Sequence, residues 1–206
     1  MNHDPFDRLA EGYDEWYLRS PELFRAELGA LLSLGLEGRG LDVGTGTGIF
    51  AGEAGTGICL DPSLPMLRKA VGRCDPVRGV AEGLPFAPSV FDYVMMTATL
   101  SFLPRPERAV REAHRVLRSG GFLALCIIPR DSEWGRLYME KAKRGHPVYG
   151  DARFFTVAEA RDLLDAAGFR LECMVSTLHG LEPSDEREGL GVDERGGFVC
   201  LKAVKV

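Results

Sequence analysis

"LDVGTGTGIF", residues 41–50, opens as a short apolar run and then places glycine at every second position, at Gly44, Gly46 and Gly48. The apolar run reads as a buried strand, and a main chain stripped of side chains straight after it suits a ligand that lies against the backbone. Outward from this point, the strand-like runs "GLDVG", "GICLD", "PVRGV", "FDYVMMT" and "GFLALCII" are separated by the helical stretches "PSLPMLRKAVGR" and "PERAVREAHRVLRSGG". Short apolar strands with helical crossovers predict an α/β fold, a parallel sheet covered on both faces. Upstream, residues 6–34 read as helix, with Ser20 as an N-cap and Pro21 at a first helical position. Downstream, "TVAEARDLLDAAGF" predicts a helix with Thr156 as cap, Glu159 completing a capping box and Gly168 as stop. "RLECMVSTL" and "GFVCLKAVKV" supply two last strands, with a Gly-rich polar loop at 182–197 between them. No repeat or linker divides the 206 residues, so a single domain over 1–206 is expected.

Composition narrows the class. Hydrophobic residues make up 45% and charged residues 27% of the chain, ordinary for a soluble protein. Neither an apolar signal region nor an apolar run of about 18 residues is present, so a cytoplasmic protein without a membrane span is expected. A net charge of −5 argues against a large nucleic-acid footprint. The five cysteines lack CxxC spacing, and four lie in strand-like runs, so they are read as buried free thiols in a reducing compartment. His3, His114 and His179 have no partners at ligand spacing, and no metal site is expected.

In an open parallel sheet, ligands bind beyond the carboxyl ends of the strands, where strand order reverses. The three glycines sit at such an end, and the N–H groups of the helix start behind them would suit negative charge. The second strand ends at Asp61, a carboxylate suited to the paired hydroxyls of a ribose. Together these predict a nucleoside site. A dinucleotide fingerprint would need glycine or alanine at position 49, where this chain has Ile49, and no Lys-Ser/Thr follows to make a P-loop.

Four ordered blocks, "LDVGTGTG", "LDPSLPML", "AEGLPFAPSVFDYV" and "REAHRVLRSGGFLAL", resemble the class I S-adenosylmethionine (SAM)-dependent methyltransferases, and most closely the small ubiquinone/menaquinone-methyltransferase-like group. The resemblance covers most of residues 6–128. It implies a Rossmann-like, mostly parallel seven-stranded sheet in the order 3-2-1-4-5-7-6 with the last strand antiparallel. It further implies SAM as cofactor and S-adenosylhomocysteine as product. By the same resemblance, Gly44, Thr45, Gly46 and Gly48 would hold the methionine part, with Asp42 helping through the loop or a water. Asp61 would take the ribose hydroxyls, Pro62 and Met66 the adenine, and Ala81 and Glu82 the adenine edge. Thr97 would face the sulfonium. The chain departs from many relatives at Val80, where they carry Asp.

The acceptor side must come from what remains near the strand tips. "FDRLAEGYDEWYL" gathers Tyr13, Trp16 and Tyr17 on a helix, and relatives use this segment, here 1–35, as a lid. The lid is expected to be mobile over residues 1–20 until ligand binds. A second wall is expected from the insert at 130–155, with Arg130 and Arg153 available to an anionic substrate and Phe154 beside them. Tyr13 and His146 are the candidates for acid–base work, needed only if the acceptor must lose a proton. The expected partner is a small-molecule methyl acceptor, in a monomer or homodimer, and not nucleic acid. "MMTATL" lacks the Pro-Pro-aromatic signature used on exocyclic amines, and no Pro-Cys occurs. A non-catalytic module that only binds SAM or its demethylated product is the alternative; a nicotinamide oxidoreductase is disfavoured by Ile49.

Overall fold

The computed structural model describes residues 5–181 and 190–206. His3 and residues 182–189 of the expected loop lie outside the described residues. Seven strands form one sheet: β1 (Gly40–Val43), β2 (Ile58–Asp61), β3 (Asp75–Arg78), β4 (Phe91–Thr97), β5 (Leu117–Ile127), β6 (Phe169–Thr177) and β7 (Phe198–Lys205). Their order is β3-β2-β1-β4-β5-β7-β6. The first five strands pair in parallel, and β7 runs antiparallel to both β5 and β6. This is the Rossmann-like methyltransferase topology expected from the sequence. Strand order reverses between β1 and β4, which sets the crevice beside the end of β1.

The two-residue period of the strands sends alternate side chains into two apolar layers. In β4, Val94 and Met96 face the layer containing Ala109, Val110 and Leu164, whereas Tyr93 and Met95 face the layer containing Leu31, Phe50 and Ala51. The helices α1 (Pro5–Leu9), α2 (Tyr13–Arg19), α3 (Pro21–Leu32), α4 (Ile49–Ala54), α5 (Leu64–Ala70), α6 (Pro106–Val116), α7 (Glu133–Lys143) and α8 (Val157–Ala166) complete the fold. At Thr156 the capping box forms with Glu159, as the sequence predicts.

Three readings are corrected. The helix expected over 6–34 is three helices, because Gly12 and the Ser20–Pro21 junction interrupt it. Proline has no N–H to give and pushes its predecessor out of helical geometry; Ser20 makes no side-chain cap bond. The stretch Leu117–Gly121 belongs to β5 and not to the preceding helix, with a register shift opposite Asp92. Finally, Cys59 is bonded to Cys74 and Cys126 to Cys200, leaving Cys173 as the free thiol. Cys126 and Cys200 are direct cross-strand partners in β5 and β7. These bonds remove the argument for a reducing compartment that rested on free thiols. Among the described residues, no helix is long and apolar enough to cross a membrane.

Candidate active site

The site begins at the loop that leaves β1. Gly44 and Thr45 donate their N–H groups to the Leu60 carbonyl at 2.8 and 3.1 Å, which holds the loop against β2. Gly46 N–H donates to Asp61 Oδ2 at 2.9 Å, and Ser63 N–H to Asp61 Oδ1 at 2.8 Å. Asp61 is therefore part of the loop's scaffold as well as its wall. The cap of α5 is Ser63, whose hydroxyl accepts from Met66 N–H, so capping does not explain Asp61.

Two of the glycines are needed for different reasons. At Gly44, φ is +75° and a Cβ would stand 2.2 Å from Thr99 Cγ2, so both backbone and neighbour exclude a side chain. At Gly46, φ is +56° but the nearest atom to a Cβ would be Met66 Sδ at 4.0 Å. Gly46 thus presents a bare backbone to open space, where a ligand can approach.

That space is a cavity of about 450 Å³, within the range of small-molecule sites. Gly44, Gly46, Asp61 and Pro62 form its floor, and Ala81, Glu82 and Thr97 its side. Phe6 and Phe102 meet edge to face at 5.0 Å, and Tyr13 stands beside them in the wall. Val148 and Asp151 close the rim. Thr97 Oγ1 is buried with no hydrogen-bond partner among the described residues. The next residue, Ala98, also lines the cavity, at φ +54°, a strained conformation of a kind that concentrates at functional sites.

The remaining expected residues stand further back. Asp42 is buried; its Oδ2 accepts from Thr45 Oγ1 at 2.6 Å. Burial pushes its carboxyl up to about 7, opposed by the Thr45 bond and reinforced by Asp61. Met66 packs behind Gly46 in the core, and Gly48 turns towards Ala70 and Cys74. The start of α4 does not reach the cavity. Tyr17 and Phe154 are buried, neither in the cavity wall. Arg130 pairs with Glu159 at 3.2 Å, and the Arg153 guanidinium lies 4.8 Å over the Phe155 ring. His146 stacks on Tyr149 at 4.6 Å and accepts Val148 N–H through Nδ1. Neither arginine nor His146 lines the cavity.

Sequence reasoning missed Thr99, whose hydroxyl donates to the Val43 carbonyl at 3.1 Å and steadies the end of β1. It also missed Phe6, Phe102 and Asp151. None belongs to a motif; they converge only through the fold. The N-terminal helices are strapped down by polar contacts. Ser63 Oγ donates to Asp7 at 2.6 Å, Thr47 Oγ1 to Asp14 at 2.5 Å, and Arg73 pairs with Asp14 at 2.7 Å.

A family model described as a methyltransferase domain matches residues 41–125. A solved structure from Thermotoga maritima, described as a SAM-dependent methyltransferase and possible histamine N-methyltransferase, is 36% identical with a TM-score of 0.90, over 98% of this chain and 99% of that one. An uncharacterized protein of Methanocaldococcus jannaschii is 34% identical over 98% of both chains. The malonyl-[acyl-carrier protein] O-methyltransferase of Geobacter sulfurreducens is 33% identical over 80% of this chain and 68% of its own length.

Proposed function

The chain belongs to the class I SAM-dependent methyltransferases, and from that premise we propose that the cavity beside Gly46 holds SAM and that methyl transfer to a small-molecule acceptor takes place next to Tyr13. The observation that carries this reading is the joining of three features in one cavity: the bare Gly46 backbone, the Asp61 carboxylate and the partnerless Thr97 hydroxyl. They match what a nucleoside bearing an amino acid would need, so the residues fit the cofactor. Asp61 would accept from the ribose hydroxyls, with Pro62, Ala81 and Glu82 along the adenine. The main chain of Gly44–Gly46 would run along the methionine part. Asp42, set back from the cavity, acts through Thr45 and the loop.

SAM brings an electrophilic methyl group, so the protein's own task is orientation and the exclusion of water. Phe6, Tyr13 and Phe102 form the dry wall on the acceptor side. Aligning acceptor and methyl group in such a wall can be worth an effective molarity of about 10⁵ M. Among the described residues no Lys or Arg lines the cavity, whose charged side chains are Asp61, Glu82 and Asp151. This wall disfavours the anionic acceptor anticipated from Arg130 and Arg153. It suits a neutral or cationic acceptor, and the description of the Thermotoga relative makes amines the class to test first.

Calorimetry tests the cofactor: SAM and S-adenosylhomocysteine should bind in the micromolar range and NAD far more weakly. Incubation with methyl-labelled SAM and a metabolite extract tests transfer. Tight NAD binding with no response to either sulfur nucleoside would overturn the assignment, and cofactor binding without any labelled product would point to a binding module instead.

A further inference from the structure

Behind Tyr13 lies a carboxylate to which the cofactor reading gives no task. Glu27 of α3 is 4% exposed. Its Oε2 accepts a hydrogen bond from the Tyr17 hydroxyl at 3.2 Å. Burial pushes the Glu27 carboxyl up to about 8, with the Tyr17 bond acting against that rise, and no neighbouring cation offsets it among the described residues. A buried carboxylate is ordinarily paired with a cation or a metal. For stability alone, an apolar residue or a glutamine would serve better at this position.

The surroundings suggest what completes it. The charge of Glu27 acts on four phenols: Tyr13 and Tyr17 from α2, Tyr138 from α7, and Tyr149 from the turn beyond it. Their rings pack in pairs, Tyr13 with Tyr17 at 5.9 Å and Tyr138 with Tyr149 at 4.6 Å. Tyr13 lines the cavity, and its ring meets that of Tyr17, whose hydroxyl is bonded to Glu27, so Tyr13 and Tyr17 separate the carboxylate from the cavity. Val148 and Asp151, which flank Tyr149, line the same cavity. Aromatic faces arranged about an anion attract a cation, because each ring presents a negative face and the carboxylate supplies the full charge. An anionic acceptor would meet the carboxylates of Asp61, Glu82 and Asp151 in the cavity and would be repelled by them.

We propose that Glu27 and its surrounding tyrosines receive the amino group of the methyl acceptor, with Glu27 binding it as the ammonium and then taking its proton. This rests on the methyl-transfer reading and adds the acceptor class and a base. In the step, an N–H bond of the ammonium breaks and its proton passes to the Glu27 carboxylate, which frees the nitrogen lone pair. That pair forms the N–C bond to the methyl carbon, while the electron pair of the broken C–S bond returns to sulfur. The proton then leaves Glu27 for solvent, so each turnover yields a methylated ammonium, S-adenosylhomocysteine and one proton.

The test uses the full chain with methyl-labelled SAM and a set of primary and secondary amines of increasing size, beside 3-phenylpropanoate and 2-phenylethanethiol as acid and thiol of similar shape. Label should pass to an amine and not to the acid or thiol. Glu27→Gln keeps the shape and the Tyr17 contact, and should lower kcat/KM for that amine by about 100-fold or more. It should leave S-adenosylhomocysteine affinity unchanged and abolish the rise of rate with pH that the parent enzyme has on its acid side. If Glu27→Gln does not fold, calorimetry on the parent protein with S-adenosylhomocysteine decides. Binding of the amine at pH 7 should release about one proton in paired buffers of different ionisation enthalpy. Transfer to the acid or thiol with no amine bound or methylated, or an unaltered rate and pH profile in Glu27→Gln, would overturn the proposal and leave methyl transfer itself standing. Failure of SAM to bind at all would instead strike the parent reading.

Discussion

Thr97→Val replaces a hydroxyl by a methyl of nearly the same shape at the end of β4. Thr97 Oγ1 is buried and has no partner among the described residues. A buried hydroxyl left unsatisfied costs about 1–3 kcal/mol, and valine is well suited to a central strand. Removing the hydroxyl should therefore stabilise the empty protein by about 1 kcal/mol, or about 2–4 °C in Tm for a chain of this size. If the same hydroxyl bonds SAM or S-adenosylhomocysteine, the variant forfeits about 1 kcal/mol of binding, roughly a fivefold rise in Kd. Stability and affinity should thus move in opposite directions. Thr99→Val is the internal control, because its hydroxyl already donates to the Val43 carbonyl at 3.1 Å; it should lose stability. Differential scanning calorimetry and titration with S-adenosylhomocysteine read both quantities. A Thr97→Val protein that melts lower and binds as tightly as its parent would refute the reasoning, since the hydroxyl would then be satisfied within the fold.

Three further outcomes are expected. Both Gly44→Ala and Gly46→Ala should carry the cost of a left-handed φ, about 1–2 kcal/mol, but Gly44→Ala should destabilise further because its Cβ would collide with Thr99, whereas Gly46→Ala should lose cofactor affinity, as melting and titration of both would reveal. Asp42 and Glu27 have folded-state values of about 7 and about 8, above their ordinary 3.8 and 4.5. Their contribution to stability is thus fully present below about pH 4 and is lost as pH rises through 7 to 8, at most on the order of 5 kcal/mol each; denaturant unfolding at pH 5 and pH 9 should differ accordingly, and less so in Asp42→Asn. The denatured, unreduced chain should titrate one thiol, Cys173, and five after reduction; with spans of 15 and 74 residues, the two bonds together should add several kcal/mol, about 3 and 4 by loop closure.

The sheet was legible because its strands are short apolar runs set off by glycine and proline, and because the capping box at Thr156 and Glu159 marks a helix start through local chemistry alone. The disulfides were not legible. Cys126 and Cys200 meet only because β5 and β7 are neighbours in that register, and nothing within either strand announces its partner. Charge misled in the same way: Arg130 and Arg153 sit in the expected insert, but the sequence does not say that one turns to Glu159 and the other to the face of Phe155.

The same distinction divides the candidate site. Its cofactor side comes chiefly from one β-loop-α-β unit, residues 41–62, where each ligand-facing group follows a strand end at fixed spacing, so a local pattern carries it. Its acceptor side is assembled from α1 and α2, the 3-10 turn at Leu100–Phe102 and the turn at Val148–Asp151, pieces with no shared periodicity. Glu27 illustrates the limit. In the sequence it is a charged residue in an amphipathic helix, a position usually solvated. Only the packing of α3 against α2, α4 and the sheet buries it, and only that burial turns an ordinary carboxylate into a group able to hold a proton near neutral pH. On the proposed reading, a fold that fixes the cofactor by local pattern and the acceptor by tertiary convergence can alter what it methylates by changing a few side chains on α2, α3 and the 148–151 turn. The glycine loop and Asp61, which hold each other in place through the Gly46 N–H, need not change.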